Sequence, residues 1–295
     1  MKSLFILNPL AGKGAALKLL PEIKNCCDAG CHEYTIETTK YPGHATEIAS
    51  YYSAMDDYRI YSVGGDGTLN EVLNGMAGSG SSLAVIPVGC GNDFIRSITG
   101  EQNMNNIVAR TIEGIEKSVD LAKANGKYFI NISSMGFDGL VNYNTINIKK
   151  IPYISGSVAY ILGILVTLIK YKNYNLKISI DNETIETKSL LVAVCNGKYY
   201  GGGIQPAPTA SVDDGMFDIC IVKDLNVFQI LVLFPKYKKG KHTKLKEVRF
   251  YSGQEVIIKS DCPIAVNIDG EIGLVTEMVF ELIPKGIKFV IPRNF

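Results

Sequence analysis

Three runs in this 295-residue chain set glycine beside residues that can hold phosphate or a metal ion. They are Asn8-Pro9-Leu10-Ala11-Gly12-Lys13-Gly14, Ser62-Val63-Gly64-Gly65-Asp66-Gly67-Thr68-Leu69-Asn70-Glu71, and Pro87-Val88-Gly89-Cys90-Gly91-Asn92-Asp93-Phe94. Glycine lets backbone come close to an anion, and free N–H groups with the dipole of a helix N-terminus favour its negative charge. Lys13 adds a mobile point charge. Asp66 can hold the Mg²⁺ of a nucleotide, directly or through water, with the Thr68 hydroxyl beside it; the bland alternative is a cap on the following helix. The first run has no GxxxxGK[ST] spacing and, taken alone, is equally an ordinary turn. Two later carboxylate sites stand out, Asp213-Asp214-Gly215 and Asp269-Gly270-Glu271. The former can be a plain acidic turn. The latter is either an Asp-Gly turn with a solvated Glu or, on a regular strand, two carboxylates sharing one face.

The elements that must position these residues alternate through the first ~120 residues. Strands are expected at Ser3–Asn8, Glu33–Thr38, Tyr58–Val63 and Leu83–Pro87, and helices near Ala15–Ala29, Ala45–Ser53 and Thr68–Met76. Repeated βα units mean a parallel sheet whose ligands lie beyond the C-terminal strand ends, where all three glycine runs fall. After Gly114 the pattern changes. Asn125-Gly126 between apolar runs predicts a hairpin with a type I′ turn. Helices are expected near Gly139–Ile148, Val158–Lys170 and Val227–Phe234. Strands are expected at Leu176–Ile180, Ser189–Asn196, Phe217–Val222, Val256–Lys259, Ala265–Ile268 and Met278–Leu282. The fold class is therefore an α/β N-terminal domain with a parallel sheet, followed by a β-rich antiparallel, sandwich-like C-terminal domain. The boundaries are 1–122 and 123–283, with the apolar tail 284–295 returning to the first domain.

Charge nearly cancels, 30 Lys and Arg against 29 Asp and Glu, so nothing global points to nucleic acid. Seven scattered cysteines without CxxC read as reduced cytosolic thiols. The opening apolar stretch is too short for a signal peptide and reads as a buried strand. Tyr153 to Ile169 carries no charge but falls short of the about 20 apolar residues of a membrane span. It is expected to border a lipid pocket or touch a bilayer surface. The basic run from Lys236 to Lys246, extending to Arg249, is a solvated face or an attraction to anionic lipid worth about 1 kcal/mol per basic residue. His242 reads as structural.

The three glycine runs, in this order and spacing, resemble the diacylglycerol kinase catalytic-domain family, which includes bacterial soluble lipid kinases, sphingosine kinases and ceramide kinases. The match continues through Asn131…Gly136-Phe137-Asp138, Gly201-Gly202-Gly203…Pro206…Pro208…Asp213-Asp214-Gly215, and Asp269-Gly270-Glu271. It implies an ATP site in the cleft between two domains, with Asp66 in the magnesium network. Asn8, Lys13, Gly64, Gly65, Gly67, Thr68, Leu69 and Asn70 would then surround the nucleotide. Thr39, Cys90, Asn92 and Asp93 would border it. Many relatives carry Thr at the place of Cys90, so a hydroxyl contact would be lost there. The resemblance further implies a structural Mg²⁺ on Asp214 with the carbonyls of Ser211 and Met216. The general base would be one of Asp269 and Glu271, with Asp269 preferred. The implied reaction is ATP-dependent phosphorylation of a lipid hydroxyl at a membrane surface. Diacylglycerol is the first acceptor; phosphatidylglycerol, undecaprenol or a sphingoid base are alternatives. The implied protein is cytoplasmic, peripherally membrane-associated, and a possible homodimer. Two competing readings are an NAD kinase, which shares GGDGT but not the GNDF turn and DGE block, and a non-catalytic lipid-binding pseudokinase, disfavoured by the intact Asp66, Asp214 and Asp269.

Overall fold

The computed structural model describes residues 2–100, 104–149, 151 and 156–293. Strands β1 (Lys2–Leu7), β2 (Tyr34–Thr38), β3 (Tyr58–Gly64) and β4 (Ser82–Pro87) pair in parallel in the order β2-β1-β3-β4. Side chains alternate across the strand, so an all-apolar strand serves two layers at once. Leu4 and Ile6 pack on one face with Leu69, Val72, Leu73 and Met76 of helix α4 (Asp66–Met76) and Ile48 and Ala49 of α3 (His44–Met55). Phe5 and Leu7 pack on the other, with Ile23 and Cys27 of α2 (Leu20–Ala29) and Val108 and Ile112 of α6 (Ile107–Ile112). The expected helix Ala15–Ala29 is broken into α1 (Ala15–Lys18) and α2, with Pro21 in the first turn of the second piece, where its missing N–H costs nothing. Helix α4 opens at Asp66, two residues earlier than expected, and α5 (Asp93–Thr99) opens on the third glycine run.

The second half starts with the expected hairpin. Strands β5 (Ile115–Ala124) and β6 (Lys127–Phe129) flank Asn125 and Gly126, both at positive φ, the type I′ signature. Strand β7 (Ile132–Gly136), helices α7 (Phe137–Lys149) and α8 (Gly156–Lys170), and strands β8 (Tyr174–Ile180), β9 (Glu183–Cys195) and β10 (Phe217–Lys223) follow. Then come α9 (Val227–Lys238), β11 (Val248–Gly253), β12 (Glu255–Ile268) and β13 (Glu271–Ile291). These strands pair antiparallel, and β8 joins both β9 and β12, folding the sheet over an apolar interior that includes Phe129, Phe217, Ile258 and Phe280. The two strands expected at Val256–Lys259 and Ala265–Ile268 are one strand whose register shifts between Lys259 and Ile264. The apolar tail does return: Lys288 and Phe289 of β13 pair in parallel with Ser82 and Leu83 of β4, making one 13-stranded sheet. Within the uncharged segment, residues 153–155 lie outside the described residues, as do residues 294–295 of the tail. From Gly156 the segment is α8, and no helix among the described residues is long and apolar enough to cross a membrane.

Candidate active site

The strand order explains why the glycine runs meet. β1, β3 and β4 are neighbours, so the turns leaving their C-terminal ends are neighbours too. Asn8 ties the first to the second: its Nδ2 donates to Thr68 Oγ1 at 3.0 Å, while its Oδ1 accepts from Leu10 N at 3.0 Å. Gly12, Lys13 and Gly14 all have positive φ, and Lys13 is exposed. A Cβ on Gly12 would strike the Val88 carbonyl, and one on Gly89 would stand 2.7 Å from Gly65 Cα. Much of the glycine content therefore serves turn-to-turn packing. Gly67 differs, since a Cβ there would meet nothing within 4 Å and the residue borders the cleft. Thr39 stands past β2, its N–H donating to the Leu7 carbonyl at 2.9 Å.

Asp66 does not cap its own helix. Its Oδ1 accepts from Asp93 N at 2.9 Å and, more weakly, from Phe94 N at 3.5 Å, so it caps α5 across the turn. Burial raises its pKa, against the pull of those N–H groups. Asp93 is raised for the same first reason, with Asp66 adding to it; its Oδ2 accepts from Gly202 N at 2.8 Å. That bond, and the close approach of Gly203 to Arg96, fasten the 201–203 glycines onto α5. Asn92, in the left-handed region, precedes α5 without a side-chain cap bond and donates to the Gly89 carbonyl at 2.8 Å. Asn92 Oδ1 and Asp93 Oδ1 are buried without a hydrogen-bond partner, and Cys90 is exposed at the rim.

Asp269 arrives from the opposite half. It is not on a strand, so the alternation expected to put it on one face with Glu271 does not apply. Asp269 and Gly270, both at positive φ, form the two-residue turn between β12 and β13, closed by Gly270 N donating to Asn267 Oδ1 at 2.9 Å. Asp269 Oδ2 accepts from Ile130 N at 2.9 Å and Asn131 N at 3.3 Å, and Oδ1 accepts from Ile132 N at 2.9 Å. Burial nevertheless pushes its pKa up to about 6, with Asp66 contributing. Glu271 is exposed and paired to Lys127 Nζ at 2.7 Å, with Asn70 Nδ2 at 3.4 Å.

Two hollows meet at these carboxylates. One of about 350 Å³ is bordered by Gly65, Gly67, Asn70, Cys90 and Glu271; the other, of about 390 Å³, by Leu69, Asp93, Asn142 and Tyr200. Asp66 and Asp269 border both. A third, of about 140 Å³, is apolar, lies between α8 and α9, and shares Asn142, Tyr200 and Gly201 with the second. Ile164 and Leu168 on its wall belong to α8, in the uncharged segment expected to border a lipid pocket or touch a bilayer. Asn142, Tyr200 and the α9 wall were not singled out from sequence; helical apolar spacing alone does not tell a pocket wall from a core. Asp138, at the start of α7, borders the third hollow, and burial raises its pKa.

The loop 211–216 stands apart from all three hollows. Asp214 Oδ1 accepts from Met216 N at 3.1 Å, and Asp213 binds Ser211 Oγ and Lys117. Burial, then Asp120 and Asp213, raises the Asp214 pKa; Asp218 is pushed to about 6 by burial and Asp214. Asp120, fully buried, accepts from Gly215 N at 2.7 Å and Lys285 N at 2.8 Å and so fixes the loop. Among the described residues no three His, Cys, Asp or Glu side chains form a metal cage.

Comparison with known proteins places these features. Residues 2–124 match the diacylglycerol kinase catalytic domain, and residues 131–291 match the YegS C-terminal NAD kinase beta sandwich-like domain. A diacylglycerol kinase of Staphylococcus saprophyticus is 30% identical over 270 residues, covering 91% of this chain and 88% of its own. That of Bacillus subtilis is 28% identical over 292 residues, covering 98% and 96%. A solved diacylglycerol kinase structure from Bacillus anthracis str. Sterne, 26% identical, superposes on 99% of this chain and 97% of its own with a TM-score of 0.74.

Proposed function

The chain belongs to the diacylglycerol kinase catalytic-domain family and is a lipid kinase, and we propose that it phosphorylates diacylglycerol to phosphatidate with Mg²⁺-ATP. The observation that carries the acceptor reading is the run of hollows: a polar one beside the glycine turns, a second sharing Asp66 and Asp269 with it, and an apolar one opening from the second. A triphosphate in the first and an acyl glycerol in the second and third would put the acceptor hydroxyl between them, beside Asp269. Relatives named diacylglycerol kinase support the same acceptor.

The reaction joins the acceptor oxygen to the γ-phosphorus and breaks the bond to the β–γ bridging oxygen, releasing ADP. Asp269 takes the acceptor proton. Its Oδ1 accepts only one backbone N–H and keeps a lone pair for this, and a pKa of about 6 leaves it ionised at neutral pH. Glu271, held by Lys127, orders the cleft rim. The buried carboxylates Asp66 and Asp93, the latter with an oxygen that accepts no hydrogen bond and lies 3.8 Å from Arg96, are hard donors of the kind Mg²⁺ takes, one or two from protein and the rest from phosphate and water. That ion would neutralise charge developing on the phosphoryl oxygens. Asn8, Lys13, Thr39, Gly64 and Thr68 line the turns around the phosphates, and Cys90 and Asn92 border them. A second, structural cation would take Asp214 and the carbonyls of Ser211 and Met216.

The functional units are 1–122 with 284–295, and 123–283. The protein works at a membrane surface from the cytoplasmic side, a reading supported by seven free cysteines. A lipid-panel assay with labelled ATP and mass detection of products tests this. Diacylglycerol is expected to outpace phosphatidylglycerol, undecaprenol and sphingoid base, and phosphorylation of NAD in preference to any lipid would overturn the reading.

A further inference from the structure

Helix α9 is apolar all round its first two turns, Val227 to Phe234, interrupted only by Gln229. Such a helix belongs where every side is covered. This fold covers one side. Ile230, Leu233 and Tyr237 are buried, but Phe228, Leu231 and Val232 are 75%, 55% and 51% exposed. Across the apolar hollow, α8 shows Leu165 and Ile169, four residues apart on one face and likewise exposed. At the C-terminal end of α9 the chemistry reverses. From Lys236 to Arg249 the chain carries six lysines and one arginine against the single acid Glu247. A groove of about 360 Å³ on the outer flank of α9 joins both characters, with Phe228, Val232 and Leu233 on its walls and Lys236, Lys244 and Lys246 at its rim.

We propose that this α8–α9 face docks on an anionic phospholipid bilayer, with the apolar start of α9 below the headgroups and the lysines at the phosphates. The inference rests on the reading that the acceptor is a bilayer lipid. Charge complementarity selects the occupant: a second copy would set lysines against lysines, whereas lipid phosphates answer the predominantly basic rim, in which Glu247 is the one acid, along its whole length. Phe228 and Lys236 are eight residues apart, about 12 Å along the helix, so a tilted α9 can place its apolar start below the headgroups while its basic end stays at the phosphates. Leu231 and Phe234 also border the apolar hollow, so the same docking opens that hollow towards the acyl chains. An acceptor can then reach Asp269 without crossing water.

The test compares the full chain with Phe228→Ser/Val232→Ser and Lys236→Gln/Lys244→Gln/Lys246→Gln, residues that border none of the three hollows of the active site. Sedimentation with phosphatidylglycerol/phosphatidylcholine vesicles is read beside phosphatidylcholine alone, and beside phosphorylation of monomeric dioctanoylglycerol without vesicles. At about five-fold per lysine at low salt, the triple variant should lose about two orders of magnitude in binding to anionic vesicles. The double variant should lose roughly ten-fold or more through lost apolar burial. Both should turn over monomeric substrate within about two-fold of the parent, since neither site touches the chemistry. Parent protein that binds neutral and anionic vesicles alike, or variants that sediment like the parent, would overturn the docking face. Absence of turnover on dioctanoylglycerol by the parent would instead overturn the acceptor reading, and the vesicle result would still judge the face.

Discussion

At the scale of single residues, the pKa of Asp269 results from opposed effects. Three backbone N–H groups favour its charged form, yet burial and the charge of Asp66 win and raise it to about 6. A base works only when unprotonated, so protonation below that value removes activity. The expected profile of kcat/KM is flat above pH about 7 and falls about ten-fold per unit below pH about 6. Asp269→Asn keeps the shape but places an NH₂ against backbone donors. Turnover should drop about 10²–10⁴-fold, the acid limb should vanish, and stability should fall by about 1–3 kcal/mol. An Asn variant with the parent's rate and acid limb would exclude Asp269 as base. The sequence showed the carboxylate and its Gly270 neighbour but not what surrounds it. The donors at Ile130, Asn131 and Ile132 lie more than 130 residues away, and no local pattern announces a contact of that span.

At the scale of elements, the N-terminus of α4 separates two jobs that glycine can do. Gly65 and Gly89 are needed because backbone meets backbone there. Gly67 lies inside the helix at negative φ with open space around it, so nothing in the protein requires glycine. Alanine is the better helix former by up to about 1 kcal/mol, and Gly67→Ala should raise the unfolding midpoint. The same methyl enters the hollow beside Asp66, so the KM for ATP should rise by about five-fold or more, as close backbone approach to phosphate is lost. Unfolding scans and nucleotide titrations of one variant read both signs, and an unchanged KM would remove Gly67 from the phosphate cradle. Elements of this kind were the legible part of the fold. β1 and β4 carry short apolar runs, β3 ends directly in the glycine turn, and Asn125-Gly126 names its own turn. Two kinds of element escaped. β11 is an edge strand bearing Arg249 and Ser252, too polar for a period-2 pattern, and α6 is only six residues long. The loop at Asp214 was legible as acidic, but Asp120, which holds it in place, sits in β5 and resembles any strand residue until its burial is seen.

At the scale of the whole molecule, β13 decides whether the two halves are thermodynamically separate. Its N-terminal part places Met278 and Phe280 in the sandwich interior, and its C-terminal part places Ile287 and Phe289 in the α/β core. It pairs with β12 and β5 on the way and ends against β4. Sequence reading found Met278–Leu282 as a strand and the tail from 284 as a separate apolar return; Gly273, Pro284 and Gly286 interrupt the pattern, but the strand runs through them, with a register shift against β5 between Ile283 and Ile287. A strand shared in this way cannot leave one core without stripping the other. Unfolding should therefore be a single transition even though the two halves match different family models. Phe289→Ala and Phe280→Ala each remove a fully buried ring and should cost about 3–5 kcal/mol. Each should lower the same midpoint, whether followed by a probe in the first half or the second. Calorimetry that resolved two transitions, one moved by each substitution, would show that β13 is a tether between independent domains. One common transition would mean that the cleft between Asp66 and Asp269 is held by the stability of the entire sheet, and that its width is set by packing rather than by a hinge.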